Sequence, residues 1–151
     1  MLNKFDPTEL DIIEHKIVQG HIESPFEFDS DLIENYKTDM SFNASFVIEK
    51  KLVKAYMGFV IQTNSESDQK ESNAEFDFVY VFRVGNIEEL LTTEEDGEIN
   101  DLELTLLTAI AAISFSTSRG ILMTRLQGTV MKDYILPVID PKKLLEEWAG
   151  V

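Results

Sequence analysis

The chain has 151 residues, 44% of them hydrophobic and 27% charged, which is the size of one domain with enough apolar residues to bury a core. It contains no cysteine, and this excludes disulfides, thiol nucleophiles and thiolate metal sites. Its formal net charge of −15 makes nucleic acid a poor partner, because phosphates are bound by clustered Lys and Arg, and disfavours anionic membrane surfaces as well.

The first predicted element is an irregular strand at about residues 12–23, which is apolar on both faces without clean alternation. Residues 1–14 lack the basic start and apolar core of a signal peptide, so we expect a cytoplasmic protein. After the strand, Pro25, Phe26 and Phe28 lie in a segment of low regular propensity. Exposed aromatic side chains are uncommon in loops, so the two rings are expected to pack on another surface.

Three strands with clear alternation follow at about residues 39–50, 52–63 and 74–84. An apolar residue at every second position is typical of a strand with one buried face. The short connections, including the polar run 64–73, favour antiparallel pairing. The predicted inward residues are Met40, Phe42, Ala44, Phe46 and Ile48, then Val53, Ala55, Met57, Phe59 and Ile61, and finally Phe76, Phe78, Tyr80 and Phe82.

A long helix is predicted to begin near Asn100, which with Glu103 resembles a capping box. It carries two apolar stripes, so we expect the sheet to cover one side and a partner subunit the other. Gly120 either ends a first helix or lies inside a longer one, and Gly128 is the better terminator. The longest apolar stretch, residues 102–115, is interrupted by polar residues and is shorter than the roughly 20 residues of a membrane span. The residues expected at the subunit contact are Leu107, Ala111, Phe115 and Leu122.

A short amphipathic helix is predicted near the end of the chain. Asp140 can cap it and Pro141 suits its first turn. Its apolar face is Leu144, Leu145 and Trp148. With no repeat and no obvious linker, residues 1–151 are interpreted as a single α+β domain.

The sequence offers no pattern that predicts catalysis. Its two histidines, His15 and His21, are not at the i, i+4 spacing of a helical zinc motif. No glycine-rich phosphate loop is present, and the acidic residues lie mainly in polar runs or on the outward face of a strand. We therefore expect a protein that is not an enzyme and has no cofactor and no metal site.

An excess of apolar side chains near irregular backbone is the feature that indicates a function. These residues form either a satellite cluster beneath the loops or a groove that accepts side chains of another chain. Those in loop-like segments are Phe26, Phe28, Tyr134, Ile135, Pro137 and Val138, and those on flanking elements are Phe42, Phe46, Leu144, Leu145 and Trp148.

The order of elements resembles that of the bacterial export chaperone SecB. The most similar parts are residues 125–129, Arg-Leu-Gln-Gly-Thr, and residues 135–140, Ile-Leu-Pro-Val-Ile-Asp, followed by Leu144 and Leu145. Residues 22–25, Ile-Glu-Ser-Pro, are similar to the family's first strand as it enters a crossover loop. The resemblance covers about residues 12–148. It implies a four-stranded antiparallel sheet with helices on one side, and a tetramer built as a dimer of dimers.

The resemblance also implies an ATP-independent holdase that binds unfolded or precursor polypeptides in apolar grooves. The groove would be lined by the crossover loop, the second strand, the loop between the helices and the last helix. The corresponding residues here are Phe26, Phe28, Phe42, Phe46, Tyr134, Leu136, Val138, Leu145 and Trp148.

The family passes its clients to the translocation motor SecA through acidic positions on the outer face of the sheet. Glu23 matches one of these positions, and Glu75 and Asp77 lie on the same predicted face. Two other acidic positions fall near Gln19 and Val81, which makes motor binding an open question for this chain.

Three alternative functions remain from the sequence. One is a SecB-like chaperone for another client, such as an antitoxin. The second is a binder of small ligands or lipids, or a hotdog-type thioesterase. The third is a structural assembly protein with a filled core. The helix follows all the strands here, whereas it precedes most of them in hotdog proteins, so the order of elements argues against the thioesterase.

Overall fold

A computed structural model describes residues 5–93 and 99–148 of the chain. The described residues form a four-stranded antiparallel sheet, a two-stranded hairpin, two α-helices and four short 3₁₀ helices, which confirms the predicted α+β class. The elements in chain order are β1 Leu10–Glu23, β2 Ile33–Val47, β3 Leu52–Ser65, β4 Asn73–Val84, β5 Leu91–Thr93, β6 Ile99–Leu102, α1 Leu104–Arg125 and α2 Pro141–Trp148.

The main sheet has the strand order β1-β4-β3-β2, so β1 and β2 form its two edges. Residues 24–32, here called the crossover loop, therefore carry the chain from one edge of the sheet to the other. Gln69, in the β3–β4 connection, accepts from the Asp29 N–H at 3.1 Å and donates to the Asp29 carbonyl at 3.1 Å. The Ser72 hydroxyl donates to the Glu23 carbonyl at 2.8 Å. These bonds hold the crossover loop against the β3–β4 end of the sheet.

The alternation predicted for β2, β3 and β4 is confirmed by burial. The inward residues of β3 and of β4 are almost completely buried, and Phe42 of β2 is buried with them. On the opposite face, Tyr56 and Val60 are exposed. Apolar side chains thus cover one side of the sheet, where α1 packs, because a strand places successive side chains on opposite faces.

The irregularity of β1 has a structural cause. Its pairing with β4 shifts register between Ile12 and Glu14 and again between Ile17 and Gln19. Each shift inserts an extra residue and changes which side chains face the core. This explains why the sequence of β1 lacks a clean period of two.

The predicted start of the long helix is wrong by several residues. Asn100 lies in β6, and α1 begins at Leu104 after Glu103, which makes no side-chain capping bond. The Glu103 N–H instead donates to the Leu90 carbonyl at 2.7 Å. The hairpin of β5 and β6 occupies the chain where the capping pattern predicted helix. From Leu104 the helix continues through Gly120 to Arg125, and Gly128 follows in the left-handed conformation at a φ of 82°.

The prediction of the subunit contact on α1 also needs correction. Leu107, Ala111, Phe115 and Leu122 are buried in the subunit's own core, with at most 4% exposure each. They form one stripe with the buried residues Leu106, Ile110, Ser114 and Ser118. Residues that are three and four positions apart lie on the same side of a helix. The two apolar stripes inferred from the sequence therefore form largely a single face. The sheet covers that face.

By length and composition α1 is apolar enough to cross a membrane. Core helices of globular domains pass the same test, and the buried stripe of α1 belongs to the hydrophobic core with β3 and β4.

Candidate functional site

The structure brings β2, α2 and the loop between the helices together on the helix side of the sheet. Residues 126–140 are called the connecting loop below. The hydroxyls of Thr38 on β2 and Tyr134 in the connecting loop are 2.6 Å apart. The ring of Tyr36 meets that of Tyr134 edge to face, with centroids 4.9 Å apart. The helix α2 packs against both α1 and β2, and Leu144 and Leu145 are buried there.

A second anchor joins the connecting loop to α1. Arg119 donates from Nε to the Leu136 carbonyl at 2.9 Å and from a terminal nitrogen to the Pro137 carbonyl at 3.3 Å. Its guanidinium carbon lies 5.1 Å from the centre of the Phe115 ring, a distance at which a cation and an aromatic face attract. Between them, Arg119 and Thr38 fix the middle of the loop at two points.

The contacts with Thr38 and Arg119 determine which apolar side chains of the connecting loop are buried. Tyr134 and Leu136 are buried, whereas Ile135 and Val138 are 60% and 86% exposed. Burial raises the pKa of Tyr134 above its ordinary value, although the hydrogen bond with Thr38 opposes this. Tyr36 also has a raised pKa, caused first by burial and then by the charge of Asp133 and by Tyr134. The loop therefore faces the core with one set of side chains and solvent with the other.

The nine residues predicted to line a groove fall into different environments. The buried ones are Phe42, Tyr134, Leu136 and Leu145; Phe28 and Phe46 are half-buried; and Phe26 and Val138 are exposed. The side chain of Trp148 lies outside the described residues. Phe42, Tyr134, Leu136 and Leu145 thus contribute to the subunit's own core in this conformation, and the predicted groove is correspondingly smaller. The Thr38–Tyr134 contact holds the connecting loop against β2, and Arg119 holds it against α1.

Two further residues belong to this surface and were not among the nine. Tyr36 is half-buried beside Tyr134, and Ile135 is exposed in the connecting loop. Tyr36 was missed because β2 begins at Ile33, several residues before the clean alternation. Continuing the alternation from Met40 toward the N-terminus, two residues at a time, places Thr38 and Tyr36 on the buried face and would have predicted Tyr36.

Two adjoining cavities lie between β1 and the last turns of α1. The larger has a volume of about 590 Å³ and is lined by His15, Lys16, Ile17, Tyr80, Thr117, Gly120, Ile121, Thr124 and Arg125. The smaller, of about 360 Å³, is lined by Ile17, Gly20, Ile22, Phe76 and Arg125. They share Ile17 and Arg125, so they form one depression, which is lined by apolar side chains together with the basic residues Lys16 and Arg125. The sequence analysis did not predict this depression.

The outer face of the sheet, opposite the helices, carries the three acidic residues predicted for motor binding. Glu75 lies between His21 and Val60 of the neighbouring strands, Asp77 lies between Gln19 and Gly58, and Glu23 lies opposite Asn73. All three are exposed.

A shallow trough crosses the same face at Gly58. A Cβ atom there would lie 2.6 Å from the Ser41 hydroxyl and 2.9 Å from a carboxylate oxygen of Asp77. Cavities of about 280 Å³ and 320 Å³ adjoin this glycine. The trough reaches β2 at Ser41, so it connects the acidic face with an edge of the sheet.

Comparisons with protein-family models and with curated proteins each gave no match. Among solved structures, the chain is similar to the Mycobacterium tuberculosis Rv1957 SecB-like chaperone, solved in complex with a ChAD peptide from the Rv1956 HigA1 antitoxin. The TM-score is 0.62 at 11% sequence identity, over 87% of this chain and 91% of that one. A protein of unknown function from Streptococcus agalactiae gives a TM-score of 0.34 at 12% identity, over 87% of this chain and 96% of that one. The first comparison establishes that the chain has the fold of a SecB-like chaperone.

Proposed function

We propose that this chain, acting as a single domain in the cytoplasm, is an ATP-independent holdase that binds non-native polypeptide. The observation that carries the proposal is the exposure of large apolar side chains on the two loops beside β2. Phe26 in the crossover loop is fully exposed, and Ile135 and Val138 in the connecting loop are largely so. A well-packed core of the same subunit leaves these side chains outside, where they offer apolar surface to another chain.

Passive binding needs only this surface. An extended client segment gains about 25 cal/mol for each Å² of apolar area removed from water. Each site is weak alone, and several sites on one oligomer strengthen binding through effective concentration. The mechanism consumes no nucleotide and needs no cofactor.

Two versions of the function differ in the client. In one, the clients are precursors for export and the exposed carboxylates Glu23, Glu75 and Asp77 contact the motor SecA. In the other, the client is an antitoxin, which is supported by the antitoxin peptide bound to the Rv1957 chaperone. Binding of an unfolded polypeptide is common to both and is tested first.

The depression between β1 and α1 is proposed as the contact with a second copy of the chain, in a tetramer built as a dimer of dimers. The edge strand β1 borders it, and Ile17 and Ile121 supply half-buried apolar side chains. This surface replaces the buried residues of α1 that the sequence indicated. Light scattering is expected to show an oligomer that dissociates when Ile121→Asp places a charge in the depression. A dispersed monomer in the unchanged protein would contradict this contact.

The same depression favours a second candidate function, the binding of a small amphipathic anion, because Arg125 borders an apolar cavity of about 590 Å³. Native mass spectrometry of the purified protein separates the two. A bound molecule of a few hundred daltons would favour the ligand, and bare subunits assembled into an oligomer would favour the subunit contact.

The holdase proposal is tested by the aggregation of heat-unfolded citrate synthase, followed by light scattering at a stoichiometric ratio without ATP. The unchanged protein should suppress aggregation, and the double variant Phe26→Ser with Val138→Ser should suppress it much less. Val60→Ser, which removes an exposed apolar side chain from the outer face of the sheet, is the matched control. Equal suppression by all three proteins would place the client elsewhere, and no suppression by the unchanged protein would contradict the function.

A further inference from the structure

We propose that Gln69 is a positioning residue for client binding, because its side-chain amide holds the crossover loop in the conformation that presents Phe26. This inference rests on the proposed holdase function and adds to it a residue that acts without touching the client. It follows from the way in which the crossover loop is attached to the β3–β4 connection, residues 66–72.

Both polar atoms of the Gln69 side chain are used to fix the loop. The oxygen accepts from the Asp29 N–H at 3.1 Å, and the nitrogen donates to the Asp29 carbonyl at 3.1 Å. The same nitrogen donates to the hydroxyl of Ser65, the last residue of β3, at 2.8 Å. Gln69 thus pairs with both backbone groups of Asp29, in the manner of a hydrogen-bonded residue pair in an antiparallel ladder.

Phe26 lies in the part of the crossover loop that lacks such bonds. Among the described residues, no hydrogen bond joins residues 24–28 to the rest of the subunit. The loop is attached just before this stretch, where the Ser72 hydroxyl donates to the Glu23 carbonyl at 2.8 Å, and just after it, at Asp29. Phe26 is thus fully exposed at the centre of a short arch whose two ends are fixed.

The attachment at Asp29 sets the length of the free stretch. The next hydrogen bond between the loop and the β3–β4 connection is at the Leu32 carbonyl, which accepts from the Glu66 N–H at 2.9 Å. Without the bonds at Asp29, the free stretch would lengthen from residues 24–28 to residues 24–31. A longer free stretch has more conformations, and a client that binds to it must order them, so binding is weakened.

The β3–β4 connection itself does not depend on Gln69. The Thr63 N–H donates to the Ser72 carbonyl at 3.0 Å, and the Ser72 N–H donates to the Thr63 hydroxyl at 2.9 Å. The Glu71 carboxylate accepts from the N–H of Ser65 at 2.8 Å and from its hydroxyl at 2.6 Å. Removal of the Gln69 side chain should therefore leave this end of the sheet closed, and its effect should fall on the crossover loop.

The first test measures the effect of Gln69 on client binding. Guanidine-unfolded citrate synthase is diluted into buffer at room temperature, so that the heat stability of the variants does not enter. Gln69→Ala should raise the chaperone concentration that halves aggregation by about fivefold, whereas an excess of the variant should still suppress aggregation fully. Gln62→Ala, at an exposed glutamine on the outer face of β3, is the matched control and should leave this concentration unchanged. If Gln69→Ala does not fold, Gln69→Met, which keeps the volume of the side chain, takes its place.

A double-mutant cycle with Phe26→Ser distinguishes positioning of the aromatic ring from an independent effect. Phe26→Ser alone should weaken suppression. Because Gln69 acts by presenting Phe26, the addition of Gln69→Ala to Phe26→Ser should weaken suppression by less than about twofold more. A further loss as large as that caused by Gln69→Ala alone would contradict the positioning role.

Amide exchange, followed by NMR, tests the attachment itself. The Asp29 N–H donates to Gln69, so its exchange should become about tenfold faster or more in Gln69→Ala. The Ser65 N–H, which donates to the Glu71 carboxylate at 2.8 Å, is the internal reference and should keep its rate. Equal exchange of the Asp29 N–H in the two proteins would overturn the inference.

The role of Gln69 and the holdase function fail on different results. Equal suppression by Gln69→Ala and Gln62→Ala would overturn the positioning role and leave the holdase function intact. No suppression by the unchanged protein would overturn the holdase function, and with it the role of Gln69 in client binding.

Discussion

The hydroxyl groups of Thr38 and Tyr134 lie 2.6 Å apart and join an edge strand of the sheet to the loop between the two helices. They are 96 positions apart in the chain. Tyr134 is buried, and its ring also contacts Tyr36. The bond therefore sets how closely the connecting loop covers β2, and with it how much apolar surface of the subunit is exposed.

Tyr134→Phe should lower the free energy of unfolding by about 1 kcal/mol, because the Thr38 hydroxyl loses its partner in a partly buried position. Urea denaturation measures this change. Tyr56→Phe, on the exposed outer face, is the matched control and should change stability by a few tenths of a kcal/mol. Equal effects of the two substitutions would show that the Thr38 contact adds nothing to stability.

The protein should lose stability above about pH 10. Burial is the main cause of the raised pKa values of Tyr36, Tyr80 and Tyr134, whereas tyrosines in the unfolded chain ionise near their ordinary value of about 10. The folded state then binds more protons than the unfolded state, so its stability is fully present below that pH and falls as the pH rises through the folded pKa values. Urea midpoints at pH 8 and pH 11 measure the loss, which Tyr80→Phe should reduce. A midpoint that stays constant over this range would contradict the assignment.

Ser114 and Ser118, one helical turn apart and both fully buried, should respond in opposite ways to alanine. The Ser118 hydroxyl lies 2.7 Å from the Tyr80 hydroxyl and 2.7 Å from the Ser114 carbonyl. Within the described residues, the Ser114 hydroxyl has no hydrogen-bond partner. Ser118→Ala should therefore cost about 1–3 kcal/mol, because it leaves the buried Tyr80 hydroxyl unpaired, whereas Ser114→Ala should be neutral or stabilising. Thermal and urea unfolding of the two variants provide the comparison, and a larger loss from Ser114→Ala would contradict it.

Gly120→Ala should stabilise the subunit by about 1 kcal/mol, the difference between the two residues inside a helix. A methyl group at this position would meet no atom within 4 Å. Ser116→Ala, at another exposed position of α1, is the control and should give a smaller gain. Unfolding at low and at high protein concentration separates the effect on the subunit from that on assembly. A loss of stability would show that another surface comes close to Gly120 in solution.

The sequence predicted the sheet well where burial on one face imposes a period of two. Phe76, Phe78, Tyr80 and Phe82 illustrate this, since all four are buried as expected. The same reasoning failed for the start of α1, because the Asn100 and Glu103 pattern is local whereas the pairing of β5 with β6 is not. A capping pattern covers a few neighbouring residues, so it cannot show that a strand from another part of the chain pairs with the same segment.

The candidate site was predicted in part. The sequence identified the loops and the last helix as apolar, but it could not tell which apolar residues face inward, because that depends on anchors with distant partners. Leu136 is buried and Val138 exposed since Arg119 holds the backbone between them. Loop residues follow no periodicity, so their orientation is set only by such contacts.

Arg119 binds the connecting loop through the carbonyls of Leu136 and Pro137 and makes no hydrogen bond to a side chain of the loop. Carbonyl groups are present whatever residue stands at a position. Residues 135 and 138 could thus be exchanged for others while the loop keeps its path across the subunit. The path of this segment does not depend on its side chains at positions 135 and 138, so the surface that it presents can be redesigned without rebuilding the rest of the subunit.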